Sequence, residues 1–246
     1  MEDFFRQLAA EAPRWNFIFF YDERSWNRIV EGLYYTLILS VACVILSVVI
    51  GVVGAWAQGS PSRLLRNIVQ GYIQFFRNTP PFVQLLFFYF ALGQFTPTYS
   101  PDGWLQVPII SNVGWAIISL SFFAGAFNVE IFRSGIEAVP RSTIEAAEAL
   151  GMSRWQIYRD VILPLAFRIC LPALNNNLVN LVKTTTLAYA IAVPELLYMS
   201  NQIWSDSVNV PEMMTVLLFV YVGLVAILVF AMQRWERAMK LPGFGR

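Results

Sequence analysis

Residues Ser142–Pro164 read "STIEAAEALGMSRWQIYRDVILP". The stretch is polar, charged and helical in pattern, yet long apolar runs lie on both sides of it. A helix needs roughly 20 mostly apolar residues to cross a bilayer. Five stretches meet that length, at about 29–57, 67–94, 113–135, 165–192 and 213–233. Pro80 and Pro81 interrupt the second. The fourth carries four asparagines, a lysine and three threonines, which leaves a re-entrant or interfacial segment as its alternative reading. Hydrophobic residues fill 57% of the 246 positions and charged residues only 13%, about half the charge of an ordinary soluble domain. The chain therefore reads as an all-α, polytopic membrane protein of about five transmembrane helices, with the quoted stretch as one of its loops.

Several function classes drop out. A net charge of +1 gives no case for nucleic-acid binding, and the absence of histidine removes the commonest metal ligand and general base. Cys43 and Cys170 are far apart in or beside apolar spans and read as small hydrophobes, so neither a metal site nor a catalytic constellation is expected. No G-x-x-x-x-G-K-[ST] loop is present, so the chain does not itself bind ATP in that way. Residues 1–28 are of mixed charge, unlike the short basic start of a cleaved signal peptide.

Lys and Arg set the expected orientation. Arg63 and Arg66 lie between spans one and two, Arg141, Arg154 and Arg159 between three and four, and Arg234, Arg237, Lys240 and Arg246 in the tail. The alternate loops, 95–112 and 193–212, contain neither Lys nor Arg. The positive-inside rule then puts the quoted loop and the C-terminus in the cytoplasm and the N-terminus outside. Arg6, Arg14, Arg24 and Arg28 run against that assignment, outvoted by the other segments. The expected division is an external or interfacial segment 1–28, a transmembrane domain 29–236 with the loop at about 137–164, and a cytoplasmic tail 237–246.

The loop has readable local chemistry. Pro140 discourages helix at Val139. Ser142 and Glu145 have capping-box spacing, which predicts a helix from Thr143 to Leu150, and Gly151 suits the left-handed residue that ends it. Ser153 and Gln156 repeat the spacing, so a second helix starts at Arg154 with Trp155, Tyr158 and Ile162 on one side, and a new helix can begin at Pro164. Two short capped helices joined at a glycine form either a surface elbow or a structured knob that another protein grips.

Here a resemblance enters. Glu145-Ala146-Ala147, Gly151 and Leu163-Pro164 resemble, in identity and spacing, the EAA signature of permease subunits of ATP-binding-cassette (ABC) importers, with Val161 in place of the usual Ile. "FFRNTPPFVQLLFFYF" (75–90) is similar to the family's second-span segment, with Asn78 and Pro81 departing from the commonest residues. "VEIFRSGIEAVP" (129–140) and "LVKTTTLAYAIAVPEL" (181–196) are similar to segments of the polar amino-acid subfamily, with Thr184 where an acidic residue is common. The likeness runs over about residues 30–236. It implies a type I importer permease fold in which the loop supplies a cytoplasmic coupling helix, so that Glu145, Ala146, Ala147, Gly151, Arg154, Leu163 and Pro164 couple to the ATPase. The implied partners are a dimer of ABC ATPase subunits that carries the ATP and Mg, a second permease subunit (identical or homologous), an extracytoplasmic substrate-binding protein, the amino-acid substrate and membrane lipid. The chain itself is expected to hold no cofactor. A stand-alone secondary transporter or channel for small polar solutes is the alternative, although the five spans show no obvious internal repeat.

The remaining candidates lie in the spans. Asn176, Asn180, Lys183 and Thr184 recur at helical spacing on one face of span four. A lysine facing lipid at that depth costs on the order of 2.5–3.5 kcal/mol, so the face either lines a polar pathway or glues helices together. Asn128 and Glu130 of span three are its expected neighbours, and Arg133 is an equally good partner for Glu130. Gly51 and Gly54 read as sites of close helix packing. Pro80 and Pro81 read as a kink or a gating hinge, and Arg77 as a paired or snorkelling cation.

Overall fold

A computed structural model of the chain describes residues 17–101 and 103–239, together with Phe4 and Arg6. The tail from Lys240 and half of the expected N-terminal segment lie outside those residues. Among the described residues the regular elements are helical except for a two-residue ladder that pairs β1 (Thr98–Tyr99) with β2 (Val107–Pro108).

Three helices are long and apolar enough to cross a membrane unaided: α1 (Glu23–Gln58), α4 (Asn112–Glu137) and α9 (Val210–Met239). The other two expected spans take different forms. The second is broken at Thr79-Pro80. Before the break, α2 (Arg63–Asn78) buries Ile73 and Phe76 and carries Arg63, Arg66 and Arg77. After it, α3 (Pro81–Leu86) starts on a proline, whose missing N–H costs nothing at a helix start. It runs on through π and 3-10 turns to Phe95. The fourth is α7 (Leu163–Thr184), long enough at 22 residues but diluted by amides and Lys183, and extended by 3-10 turns over Thr185–Ile191. Ala192, at φ 56°, ends it. α8 (Leu196–Ser207) follows, a helix that the sequence reading leaves inside a loop.

The chain divides into two compact units. One comprises residues 1–43, 82–120 and 182–226, which include both loops without Lys or Arg. Its cores gather Leu39, Leu85, Trp115 and Ile191, and separately Ile29, Leu196, Ile203 and Met213. Gly32 lets α1 meet the start of α8, since a Cβ there would lie 2.8 Å from Leu196 Cα. Glu195, fully buried, caps α8 by accepting from the Leu197 and Tyr198 amides, and it also accepts from the Tyr221 hydroxyl at 2.9 Å.

The other unit comprises residues 44–81, 121–181 and 227–246. Its core is built on Leu171, Leu174 and Leu178 of α7. α1 and α4 approach through glycines, as expected. A Cβ on Gly51 would stand 2.4 Å from Asn128 Cβ, and one on Gly54 2.3 Å from Val129 Cγ2. Helices in lipid gain little from hydrophobic exclusion, so this close approach supplies their attraction.

Candidate coupling loop and polar helix face

The quoted loop folds as α5 (Arg141–Ala149), a turn, and α6 (Arg154–Gln156). α5 begins two residues earlier than the Ser142–Glu145 spacing predicts, because Pro140 takes the extended N-cap conformation and its carbonyl accepts from Thr143 N. Ser142 therefore sits inside the first turn and makes no capping bond. The spacing identified a helix start but not which preceding residue would turn the chain.

The far end of α5 closes as the glycine predicts. Gly151 has φ 77°. Met152 N donates to Ala147 O at 3.2 Å and Gly151 N to Glu148 O at 2.9 Å, the paired bonds of a Schellman end. Two residues later Ser153 accepts from Gln156 N, while Gln156 Oε1 accepts from Ser153 N at 2.8 Å, so the second capping box is complete. Three interlocked devices thus fix a turn of four residues. The knob shows a divided surface. Ala147 and Ile157 are buried, whereas Glu145, Ala146, Arg154 and Trp155 are exposed and Leu150 is 82% exposed. Trp155 stacks on Tyr158 at 6.4 Å between ring centroids. Arg159 donates twice to Asp160, and that bond holds the Asp160 carboxyl below its ordinary range.

α6 is not a short separate helix. It continues through a π turn (Ile157–Ile162) into α7. Leu163 and Pro164 therefore lie roughly 13 Å along a rod from Arg154, at the membrane end of the loop and off the knob.

On α7 the amides split between two sides. Asn176, Asn180 and Lys183 are exposed on this chain, and Thr184 is half-buried beside them. Asn177 turns inward instead, donating to Asn128 Oδ1 at 2.8 Å and to Ala124 O at 3.1 Å. Asn128, wholly buried, donates in turn to Ser47 Oγ at 3.3 Å. Asn175 reaches the Met232 carbonyl and Glu236 at 3.5 Å. The structure thus gathers Asn128 with Asn177 and Ser47 in an interhelical ladder, one residue round the helix from the exposed face. Glu130 pairs with Arg77, whose guanidinium lies 5.3 Å from the Phe127 ring centre. The alternative Glu130–Arg133 pair does not form, because Arg133 is taken by Glu137 at 2.7 Å and Gln58 at 3.1 Å. The sequence reading missed Asn177 as the inward amide. Three consecutive asparagines cover most of a helix turn, and only the neighbouring helix decides which is enclosed.

The model of the family described as "Binding-protein-dependent transport system inner membrane component" matches residues 47–241. The chain is 32% identical over 213 residues to the glutamine transport system permease protein GlnP of Escherichia coli (strain K12), spanning 87% of this chain and 93% of that protein. It is 32% identical over 184 residues to the L-cystine transport system permease protein TcyB of Bacillus subtilis (strain 168), spanning 75% and 74%. Among solved structures it is similar to a crystal structure of an amino acid ABC transporter with histidines, with a TM-score of 0.76, 26% identity, and coverage of 95% of this chain and 98% of that one.

Proposed function

The chain belongs to the binding-protein-dependent transport system inner membrane components, and we propose that it forms half of the amino-acid pathway of an ATP-driven importer. It is the permease subunit of an ABC importer of the inner membrane and has the type I permease fold. Relatives named for glutamine and L-cystine transport support an amino acid as cargo.

The observation that carries the coupling role is the rigid, exposed knob at Gly151. A loop that only skirts lipid headgroups has no need of a Schellman end and a capping box back to back, or of Leu150 and Trp155 left uncovered at its apex. In our reading Glu145, Ala146 and Leu150 face a groove of the ATPase, Ala147 packs inward, and Gly151 and Arg154 shape the turn. Two ATPase subunits bind ATP with Mg. A second permease, identical or homologous, completes the pathway, and an extracytoplasmic binding protein delivers the amino acid. ATP can shift the spans only through a contact that differs between two states, and the knob is that contact. The loop and the C-terminus are cytoplasmic and the N-terminus external. Asn176, Asn180, Lys183 and Thr184 line the path, where amide donors and acceptors and a cation suit an amino-acid backbone.

Co-expression with candidate ATPase and binding-protein subunits tests this. The purified assembly is expected to contain a P-loop ATPase whose turnover rises with amino-acid-loaded binding protein. A chain that purifies alone and transports without ATP would instead be a secondary carrier.

A further inference from the structure

In the unit built on α7, a polar cleft and an apolar groove run into one another. The cleft, about 710 Å³, lies where α1 turns into α2, and is lined by Gln58, Arg66, Gln70, Arg133 and Glu137. The groove, about 490 Å³, is lined by Val52, Val53, Phe132, Leu163 and Phe167. Ala55, Trp56, Ile136 and Tyr158 line both, so the two spaces share a wall. Charge is confined to the cleft. Two arginines against one glutamate leave it one positive charge in excess.

The arginines retain bonding capacity. Arg66 uses Nη1 alone, donating to the Ser60 and Pro61 carbonyls at 2.8 and 3.1 Å. Arg133 uses Nε and Nη1, on Glu137 and Gln58. Among the described residues Nη2 of each, and Nε of Arg66, has no partner. Guanidinium groups held this way suit a phosphodiester, which accepts several charge-assisted bonds. Trp56, 72% exposed, stands where the two spaces meet, the position an indole takes at the boundary between headgroups and hydrocarbon.

We infer that this paired cleft and groove is a binding site for one anionic glycerophospholipid of the cytoplasmic leaflet. Its phosphodiester is held by Arg66 and Arg133, its polar headgroup lies near Gln58 and Gln70, and an acyl chain lies along Val52, Phe132 and Phe167. Tyr158 belongs to the second half of the coupling loop, so the bound lipid braces that loop against α1 and α4. The leaflet follows from the orientation proposed above; the binding itself does not depend on it.

The test uses the full chain purified with its ATPase, delipidated and offered phosphatidylglycerol or phosphatidylcholine of equal chain length, with retained lipid counted by native mass spectrometry. Wild type is expected to prefer phosphatidylglycerol at least about fivefold, the worth of roughly one basic residue at a membrane surface. R66Q should lose the preference and R66K keep most of it. V52W, which fills the groove from an exposed position, should release the lipid with both arginines intact. The inference is overturned by equal retention of the two lipids in wild type, by an R66Q that keeps the preference, or by a V52W that holds lipid normally. It is also overturned if sn-glycerol 3-phosphate, which has the charge without the chains, displaces the lipid at equal concentration. Should R66Q fail to assemble, the wild-type preference and V52W still decide.

Discussion

Gly151 offers a substitution series in which strain and collision rank alanine and asparagine oppositely. At φ 77° its backbone is left-handed, and a Cβ built there meets nothing within 4 Å on this chain. Substitution therefore adds backbone strain but no clash within the subunit. Holding an ordinary L-residue left-handed costs about 1–2 kcal/mol, less for asparagine, which visits that region readily. Expected costs are small for Gly151→Asn, about 1 kcal/mol for Gly151→Ala and about 2 kcal/mol for the β-branched Gly151→Val. In population terms those are roughly fivefold and thirtyfold shifts away from the folded knob. In proteoliposomes carrying the whole assembly, ATPase stimulation by loaded binding protein should fall in the order Asn, Ala, Val, with membrane insertion unchanged. If instead the ATPase surface lies against the glycine and excludes bulk, Ala is tolerated while Asn and Val fail together. That order would refute the conformational reasoning and make Gly151 a contact residue.

Further expectations concern topology and the polar residues of α7. Single cysteines at Ser100 and Ser205, in a background lacking Cys43 and Cys170, should react with an impermeant thiol reagent in intact spheroplasts, whereas one at Ser153 should react only after lysis; the reverse pattern would invert the orientation. Asn177→Leu leaves Asn128 Oδ1 without its donor and removes a second bond to the Ala124 carbonyl, so thermal stability in detergent should drop by about 1 kcal/mol, the scale of interhelical bonds in membranes; an unchanged melting temperature would show that the ladder is dispensable. Asn180→Leu and Lys183→Met should assemble and hydrolyse ATP but import poorly or with altered selectivity. Failure to assemble would mark that face as helix glue, and normal import of every substrate would remove it from the path.

What the sequence made legible depended on how local the controlling physics was. Gly151 and the Ser153–Gln156 box were readable because each is decided within four or five residues of chain, and so were the apolar lengths of α1, α4 and α9. The Ser142 cap failed for a related reason: Pro140, two residues away, competed for the same role and won. Pairings that span the chain were not readable. Arg77 and Glu130 are 53 positions apart, and Arg133 is a nearer charge on the same helix as Glu130. Helix rotation alone turns Arg133 towards Glu137 and Gln58. Likewise, Asn175, Asn176 and Asn177 are chemically identical in sequence. They become inward or exposed only when α4 and α9 are placed beside them.

The Leu163-Pro164 pair illustrates how position along a rod changes the meaning of a motif. From Arg154 to Thr184 the helical turns continue without a break, so the knob and the polar face of α7 are two ends of one element roughly 45 Å long. Pro164 has no N–H to offer the Asp160 carbonyl four residues back. The turns just before it, over Ile157–Ile162, are π turns with the wider i→i+5 spacing, in which Leu163 N donates to the Tyr158 carbonyl. In this reading Leu163-Pro164 touches no partner; it sets the angle at which the knob leaves the membrane end of α7. Pro164→Ala restores the missing donor and allows the π turn to relax to regular α-helix. A helix that loses one such bulge rotates its knob by about 100° relative to α7, one residue of helical twist. The variant is therefore expected to be at least as thermally stable as wild type, since a helix breaker is gone, and yet to couple poorly, with basal ATPase retained and stimulation by binding protein lost. Stability and stimulation that fall together would show that Pro164 serves packing alone, and unchanged stimulation would show that the π turn does not aim the knob.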